Sequence, residues 1–500
     1  MKMVRSLLLG TAAGFVAVAG AQAADMPVKA KPVQYVKICT LYGDGFYYIP
    51  GTDICLKIGG YVRAEYAYNY GPSMTNGPFA NVSGYQTRTD GQDFTMRSRA
   101  YAWFDSRQQT EYGTLRTYLQ LGLNFDNPAG NTFNGNRAFI QFAGFTAGLA
   151  QSFYDFYSSP ATSYFGPPSS DTGDPGWKVF GYTATFGNGL SSTVSIEEPR
   201  SFGVVSNPAG GIINTNFTGN IFTVNNTGPA LVVSDKAKAR FPDLVSNWRL
   251  DQAWGAAQIM FAAHDASAGY YGTTLTGAEI NGHPADKLGW AAGLGAKINT
   301  FAGSYFQFQV NYTQGALRYV SFTPAGAYSP VQFSGQNVGF GFFSDGVFSV
   351  ATNDVQLTTA YGVNAAYEHF WTPALRTSLY GFYTAIRYND ASNLAMCTNM
   401  LAASAGAITF GAAGLPGTSG IAACDQDFNW WGVGSRTQWN ITPWFYVGFD
   451  VLYQKIESAS NGAVVTYTAA AGTAKPTALY AIQNQDNVGF RVRLHRDIVP

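Results

Sequence analysis

Charge is scarce in this chain. Only 12% of its 500 residues are Asp, Glu, Lys or Arg, about half the share of an ordinary soluble protein. A disordered chain needs many charges and few aromatics, and a coiled coil needs Glu, Lys and Leu, so both are excluded. There is no basic surplus either: 30 basic residues face 30 acidic ones, which argues against a nucleic-acid binder. Long hydrophobic runs are missing after the first two dozen residues, so no segment reads as a spanning helix. A mean hydropathy of −0.05 also excludes a bundle of such helices. The four Cys include no CxxC, and His264, His283, His369 and His495 lie far apart, so no metal site is expected. GxSxG, HExxH, P-loop and dinucleotide patterns are all absent. Neither catalysis nor a cofactor is expected.

What the chain does have is 57 Gly, 36 Phe and 31 Tyr. It opens with Lys2 and Arg5, an apolar core from Leu7 to Ala19, and the small-residue site Ala21-Gln22-Ala23. This reads as a secretory signal peptide over 1–23, cut after Ala23. The mature chain then carries a slight acidic excess. Export permits disulfides. Four Cys allow three pairings. The two local ones, Cys39–Cys55 and Cys397–Cys424, each close a short loop and are favoured.

Period-two alternation dominates the rest. Leu56, Ile58, Val62, Ala64, Tyr66 and Tyr68 share one face, opposite Lys57, Tyr61, Arg63, Glu65 and Asn69. Phe94, Met96, Ala100, Ala102 and Phe104 oppose Thr95, Arg97, Arg99, Tyr101, Trp103 and Asp105. Leu115, Leu119, Leu121 and Leu123 oppose Arg116, Tyr118, Gln120 and Asn124. Strands are expected at 55–69, 93–105, 112–124, 136–143, 146–153, 177–186, 190–197, 243–251, 254–264, 287–299, 303–313, 358–370, 375–387, 428–440, 445–456 and 486–496. Their lengths suit a tilted strand crossing a bilayer. The connections alternate between short turns and long loops, among them 125–135 and 154–176. That sorting predicts an all-β fold: one antiparallel transmembrane barrel of sixteen strands over 55–500, with short periplasmic turns and long outer loops. Residues 24–54 precede it. Aromatics near strand ends suggest two interfacial girdles, drawn from Tyr66, Tyr68, Tyr70, Phe370, Trp371, Trp430, Trp431, Trp439, Trp444 and Phe445.

The polar face of the early strands carries Arg63, Arg97, Arg99, Arg116 and Arg137. A loop 154–176 folded inward would bring Asp155, Asp171 and Asp174 to face them, with Glu197 from the next strand. Acid against base across a waist would filter solutes by size and charge. These nine residues are the candidate constriction.

Longer motifs carry a resemblance. Gly45-Phe46-Tyr47-Tyr48-Ile49-Pro50-Gly51-Thr52-Asp53 leads into Cys55-Leu56-Lys57-Ile58-Gly59-Gly60. Thr110-Glu111-Tyr112-Gly113-Thr114-Leu115-Arg116, Arg137-Ala138-Phe139-Ile140-Gln141-Phe142-Ala143-Gly144 and Asp251-Gln252-Ala253-Trp254-Gly255 follow. Together they resemble the alphaproteobacterial general-diffusion porins of the rhizobial type. The resemblance implies a trimer in outer-membrane lipid and lipopolysaccharide that passes small hydrophilic solutes, with the third long loop as an inward eyelet. Such proteins usually finish on an aromatic residue; here the last aromatic is Phe490. Two rival readings remain, a solute-specific channel and a surface or adhesion protein acting through its loops.

Overall fold

The computed structural model describes residues 37–69, 94–127, 130–165, 176–206, 239–272, 279–301, 303–321, 331–403, 408–409, 424–467 and 478–499. The expected signal peptide, Tyr70, Asp171 and Asp174 lie outside them. Sixteen antiparallel strands form a closed barrel. They are β1 (Cys55–Tyr68), β2 (Phe94–Thr110), β3 (Gly113–Asn127), β4 (Gly130–Phe142), β5 (Phe145–Ala150), β6 (Trp177–Gly187), β7 (Leu190–Glu197) and β8 (Asp243–Gln252), then β9 (Gly255–Asp265), β10 (Leu288–Asn299), β11 (Tyr305–Gln314), β12 (Thr359–Phe370), β13 (Leu375–Arg387), β14 (Phe428–Thr442), β15 (Phe445–Glu457) and β16 (Gln485–Val499). β16 closes the sheet on β1, with Arg63 opposite His495 and a bulge at Gly60/Tyr61.

Side-chain parity follows the sequence pattern. Phe94, Met96 and Phe104 face outward and exposed, while Thr95, Arg97, Arg99 and Asp105 are buried on the inner face. Outward Leu119, Leu123, Val194, Ile259, Leu294 and Val310 make an aliphatic belt. Tyr66, Tyr68, Phe94 and Tyr312 rim it on the loop side, and Trp254, Trp371, Trp439 and Trp444 on the turn side. Trp430 corrects the expected girdle: it points inward, 2% exposed, and its Nε1 donates to Gln454 Oε1 at 3.2 Å. Adjacent residues of a strand face opposite ways, so Trp430 and Trp431 cannot both meet lipid. The turn side is built from tight hairpins. At Asn188-Gly189 both central residues have positive φ, 51° and 76°, which matches a right-twisted two-residue turn.

Of the expected long connection 125–135, residues 125–127 and 130–135 are strand instead. β3 and β4 pair as far as Asp126 opposite Gly130. Asn131, Thr132 and Asn134 are polar on both faces, so hydrophobic alternation fades there although the backbone ladder continues. β5 conversely ends early, at Ala150, where the third long connection begins.

The long loops build structure of their own. L4 (198–242), L6 (315–358), L7 (388–427) and L8 (458–484) contribute short strands. Val204–Ser206 of L4 pairs with Gly346–Ser349 of L6, which pairs with Asp354–Leu357. L7 carries a helix, Asp390–Ala403. Phe202, Phe340, Phe343, Val347, Met396 and Ile482 from these loops join Tyr380, Phe382, Trp430, Leu452 and Ile456 of the inner wall in one apolar cluster. The loop end of the barrel is therefore packed dry against β12–β15.

Both local disulfides are present, with Cα–Cα distances of 6.0 Å for Cys39–Cys55 and 5.8 Å for Cys397–Cys424. The first closes a knob at the turn end. Tyr47–Tyr48 pairs with the start of β1, and Phe46 packs under the Arg107 guanidinium at 4.9 Å. Closing a loop of this size contributes about 3 kcal/mol on the chain-entropy model. Replacing Cys39 and Cys55 together by Ser should expose residues 37–54 to protease while the barrel band stays intact, as judged by limited proteolysis and gel mobility without heating.

Candidate functional site

The described first part of the third long connection, L3 (151–176), residues 151–165, enters the barrel. A chain segment inside a barrel must find partners for its backbone groups, and here the inner wall supplies them as side chains. Glu197 of β7 accepts from Ser152 Oγ at 2.5 Å and from the Phe153 N–H at 3.0 Å. Asn247 of β8 donates to the Phe153 carbonyl at 2.6 Å. Gln309 Oε1 of β11 accepts the Phe156 and Tyr157 N–H groups, each at 2.9 Å. Arg436 of β14 donates to the Ala161 carbonyl at 2.7 Å. Asp450 of β15 accepts the Tyr164 N–H at 2.5 Å, and Arg491 of β16 donates to the Tyr164 carbonyl. L3 thus runs along the inner wall from β7 round to β16, through one helical turn at Ser159–Thr162.

Its rings sit where the wall carries no side chain. A Cβ on Gly181 would lie 2.8 Å from the Phe153 ring, on Gly295 2.6 Å from Phe156, and on Gly448 1.9 Å from the Tyr164 hydroxyl. These inward glycines allow a close approach that any larger residue would block.

A second set of groups locks L3 to the outer loops. Arg200 of L4 binds Asp155 with both terminal nitrogens at 2.9 Å, and both side chains are fully buried. The Arg200 N–H donates to Asp243 Oδ2 at 3.0 Å, which also accepts from Tyr319 OH at 2.6 Å. His264 Nδ1 lies 2.6 Å from Asp243 Oδ1. Asp345 of L6 accepts the Phe202, Gly203 and Leu317 N–H groups at 2.6–2.9 Å. Burial, and then the adjacent Arg200 charge, lower the nearby Arg318 guanidinium from its ordinary value.

The candidate constriction residues divide between these features and the opposite wall. Asp155 and Glu197 anchor L3: among the described residues the first is bound by Arg200 and the second by Ser152, Phe153 and Ser195. The arginines line the inner face of β1–β4, as parity requires. Arg97 binds Asp126 through Nε and Nη2, each at 2.6 Å. Arg99 donates to Asn124 Oδ1 at 2.6 Å. Arg116 and Arg107 share Asp105, with contacts of 2.8–3.0 Å. Arg137 donates to the Asn136 carbonyl at 2.6 Å. Arg63 lies 3.5 Å from His495 Nδ1. Arg63, Arg116 and Arg137 stay half-buried on this wall. Sequence reasoning missed Arg200, Asp243, His264, Asp345 and the Glu368–Arg436 pair at 2.6 Å, all fixed by contacts between distant segments. The one local signal was glycine at inward parity.

A closed antiparallel barrel with an aliphatic belt, aromatic rims and a polar interior narrowed by an inward loop is the architecture of an outer-membrane β-barrel of the porin kind. The chain belongs to the porin subfamily, whose family model matches residues 25–490. Porin Omp2b of Brucella melitensis is 34% identical over 212 residues, covering 39% of this chain and 54% of that protein. Porin Omp2a of the same organism is 34% identical over 223 residues, 39% and 56% of the two chains. The match thus spans about half the length of these curated relatives. Among solved structures, the outer membrane channel DcaP of Acinetobacter baumannii is similar with a TM-score of 0.51 at 13% identity, over 90% of this chain and 99% of that one; the likeness is one of fold. Family and fold together place the chain in the outer membrane.

The glycine seats generate a test. Gly295→Val and Gly448→Leu should each unseat L3, at about 1–3 kcal/mol of overpacking. Single-channel conductance should rise in both, while an equivalent change at a lipid-facing site leaves it unaltered.

Proposed function

We propose that the chain forms a water-filled outer-membrane channel through which small hydrophilic solutes and ions diffuse passively, with L3 as its waist. The observation that carries this reading is the unequal filling of the barrel. L3 and the apolar loop cluster occupy the side of β7–β16. The wall of β1–β4 keeps polar side chains partly open, among them Lys57, Arg63, Arg116, Gln120 and Arg137. The constriction comprises Arg63, Arg97, Arg99, Arg116 and Arg137 on that wall. Asp155 and Glu197 hold the loop opposite, and Asp171 and Asp174 belong to the part of L3 outside the described residues. Chemistry at this wall is passage, not turnover. Export with cleavage after Ala23 completes the reading.

Association as a homotrimer, rimmed by lipid and lipopolysaccharide, fits the flat outer face of β1 and β2, where Ala64, Ser98, Ala100 and Ala102 stand in a row. A solute-specific channel is the second reading, favoured by inward aromatic rings on β1–β4. The loop-acting surface protein draws less support, because Phe202 of L4, Phe340, Phe343 and Val347 of L6 and Met396 of L7 pack against the inner wall.

Liposome swelling with sugars of increasing size tests the channel: rates should fall steeply with solute size, and equal rates with and without protein would refute it. Arg99→Ser with Arg116→Ser removes two fixed positive charges, while Asp105 keeps Arg107. The reversal potential in a KCl gradient should move toward cations, and larger sugars should swell liposomes faster. In mild detergent the protein should run as a trimer that dissociates on heating; a monomer at every concentration would count against association.

A further inference from the structure

We propose that the inner wall across β16 and β1–β4 is a binding track for anions with a flat apolar body, of which aromatic carboxylates are the simplest. This rests on the channel reading above and names the solute class that the channel favours.

The first observation is that carboxylates on this wall are oversubscribed. Glu65 lies 2.6 Å from Arg493 and 3.8 Å from Arg491. Asp105 is shared by Arg107 and Arg116. Lys57 and Arg63 have no carboxylate within ion-pair distance among the described residues. A surface with more guanidinium than carboxylate, beside a water path and backed by a dry loop cluster, focuses positive potential into that path.

The second observation is a continuous ribbon of rings at the same height. Tyr164 of L3 stacks on Tyr446 at 6.3 Å between centroids, and Tyr446 stacks on His495 at 4.6 Å. His495 meets Tyr61 at 4.7 Å, and Tyr61 stacks on Tyr101 at 5.2 Å with 9° between planes. Below it on the turn side, Trp103, Tyr118 and Phe139 stack in series at 6.2 and 5.3 Å. Register explains the continuity. Tyr61 is directly opposite Tyr101, Tyr446 opposite His495, and Tyr118 opposite Phe139.

The third is that guanidinium groups lie over the rings. Arg63 is 4.7 Å from the Tyr61 centroid, Arg116 5.2 Å from Tyr118, and Arg493 4.0 Å from Tyr164. Tyr61, Tyr118, Phe139 and Tyr446 retain partial exposure. Arg116 and Arg493 are held by Asp105 and Glu65, so the guanidinium placed to meet a solute is Arg63, beside the Tyr61 face. Guanidinium takes a carboxylate in two parallel hydrogen bonds, while the ring attached to it offsets onto the neighbouring tyrosine. Acetate would gain only the first contact and benzamide only the second.

The test uses the full protein in planar bilayers, with benzoate, benzamide and acetate as probes of KCl current. The expected results are an anion-selective reversal potential and benzoate block at concentrations where benzamide and acetate have no effect. Arg63→Ser and Tyr61→Ser should each raise the half-blocking benzoate concentration about tenfold, scaled to each variant's own KCl conductance, or ~1.4 kcal/mol. Equal block by benzoate and acetate, or by benzoate and benzamide, overturns the track and leaves the channel standing. Unchanged benzoate block in both variants overturns it too. A wild-type protein with no KCl conductance overturns the channel reading with it. If a variant does not insert, the comparison of the three probes on the wild type decides alone.

Discussion

A strand in hydrocarbon cannot leave its backbone polar groups unpaired, so a sheet that crosses a bilayer has to close. That closure, β1 on β16, governs everything else in this molecule. It forces an inside and an outside onto each strand. The outside must match lipid, and the inside must either hold water or be filled by the chain itself. In this protein one sector of the wall is filled by the chain, and the sector of β1–β4 keeps polar side chains partly open.

The filled sector is apolar and closely packed. Phe340, Phe343, Val347 and Phe348 of L6 are at most 1% exposed, and Phe202 of L4 stacks on Phe343 at 5.0 Å. Buried charges in this sector are paired in the Arg200–Asp155 and Glu368–Arg436 contacts. On the other sector Lys57, Arg63, Arg116 and Arg137 stay partly exposed. The apolar filling and the basic wall are therefore one arrangement. Low-dielectric packing on one side strengthens the field felt on the other.

The barrel was readable in the sequence because period two is a local property. Phe94 through Asp105 announce their faces without knowledge of any neighbour. The reading failed where alternation stopped carrying information, as at Asn131, Thr132 and Asn134, which are strand yet put polar side chains on both faces. Trp430 and Trp431 failed for a simpler reason: clustering was read without parity. The site was legible by half. The arginines of β1–β4 are on the inner face that their spacing demands. Of the four acids, Asp155 and Glu197 hold L3 through Arg200, Ser195 and Ser152, partners that spacing does not give, and Asp171 and Asp174 lie outside the described residues. Gly295 and Gly448 carried a usable signal. A glycine at inward parity in a strand marks a place where something else comes close, and in both cases that something is a ring of L3.

The anchors of L3 have a temporal meaning as well. Its fastenings are drawn from strands spread along the chain, up to the contact between Tyr164 and Arg491, 327 positions apart. Such distant pairings form late, because the intervening chain has to be brought together before they exist. No seat for Phe156 or Tyr164 is complete until β10, β15 and β16 stand in the ring. The last fastening of L3 thus waits for the same strand that closes the ring, so waist and wall are completed together, and a barrel short of that strand would be open at its seam and loose at the end of its loop.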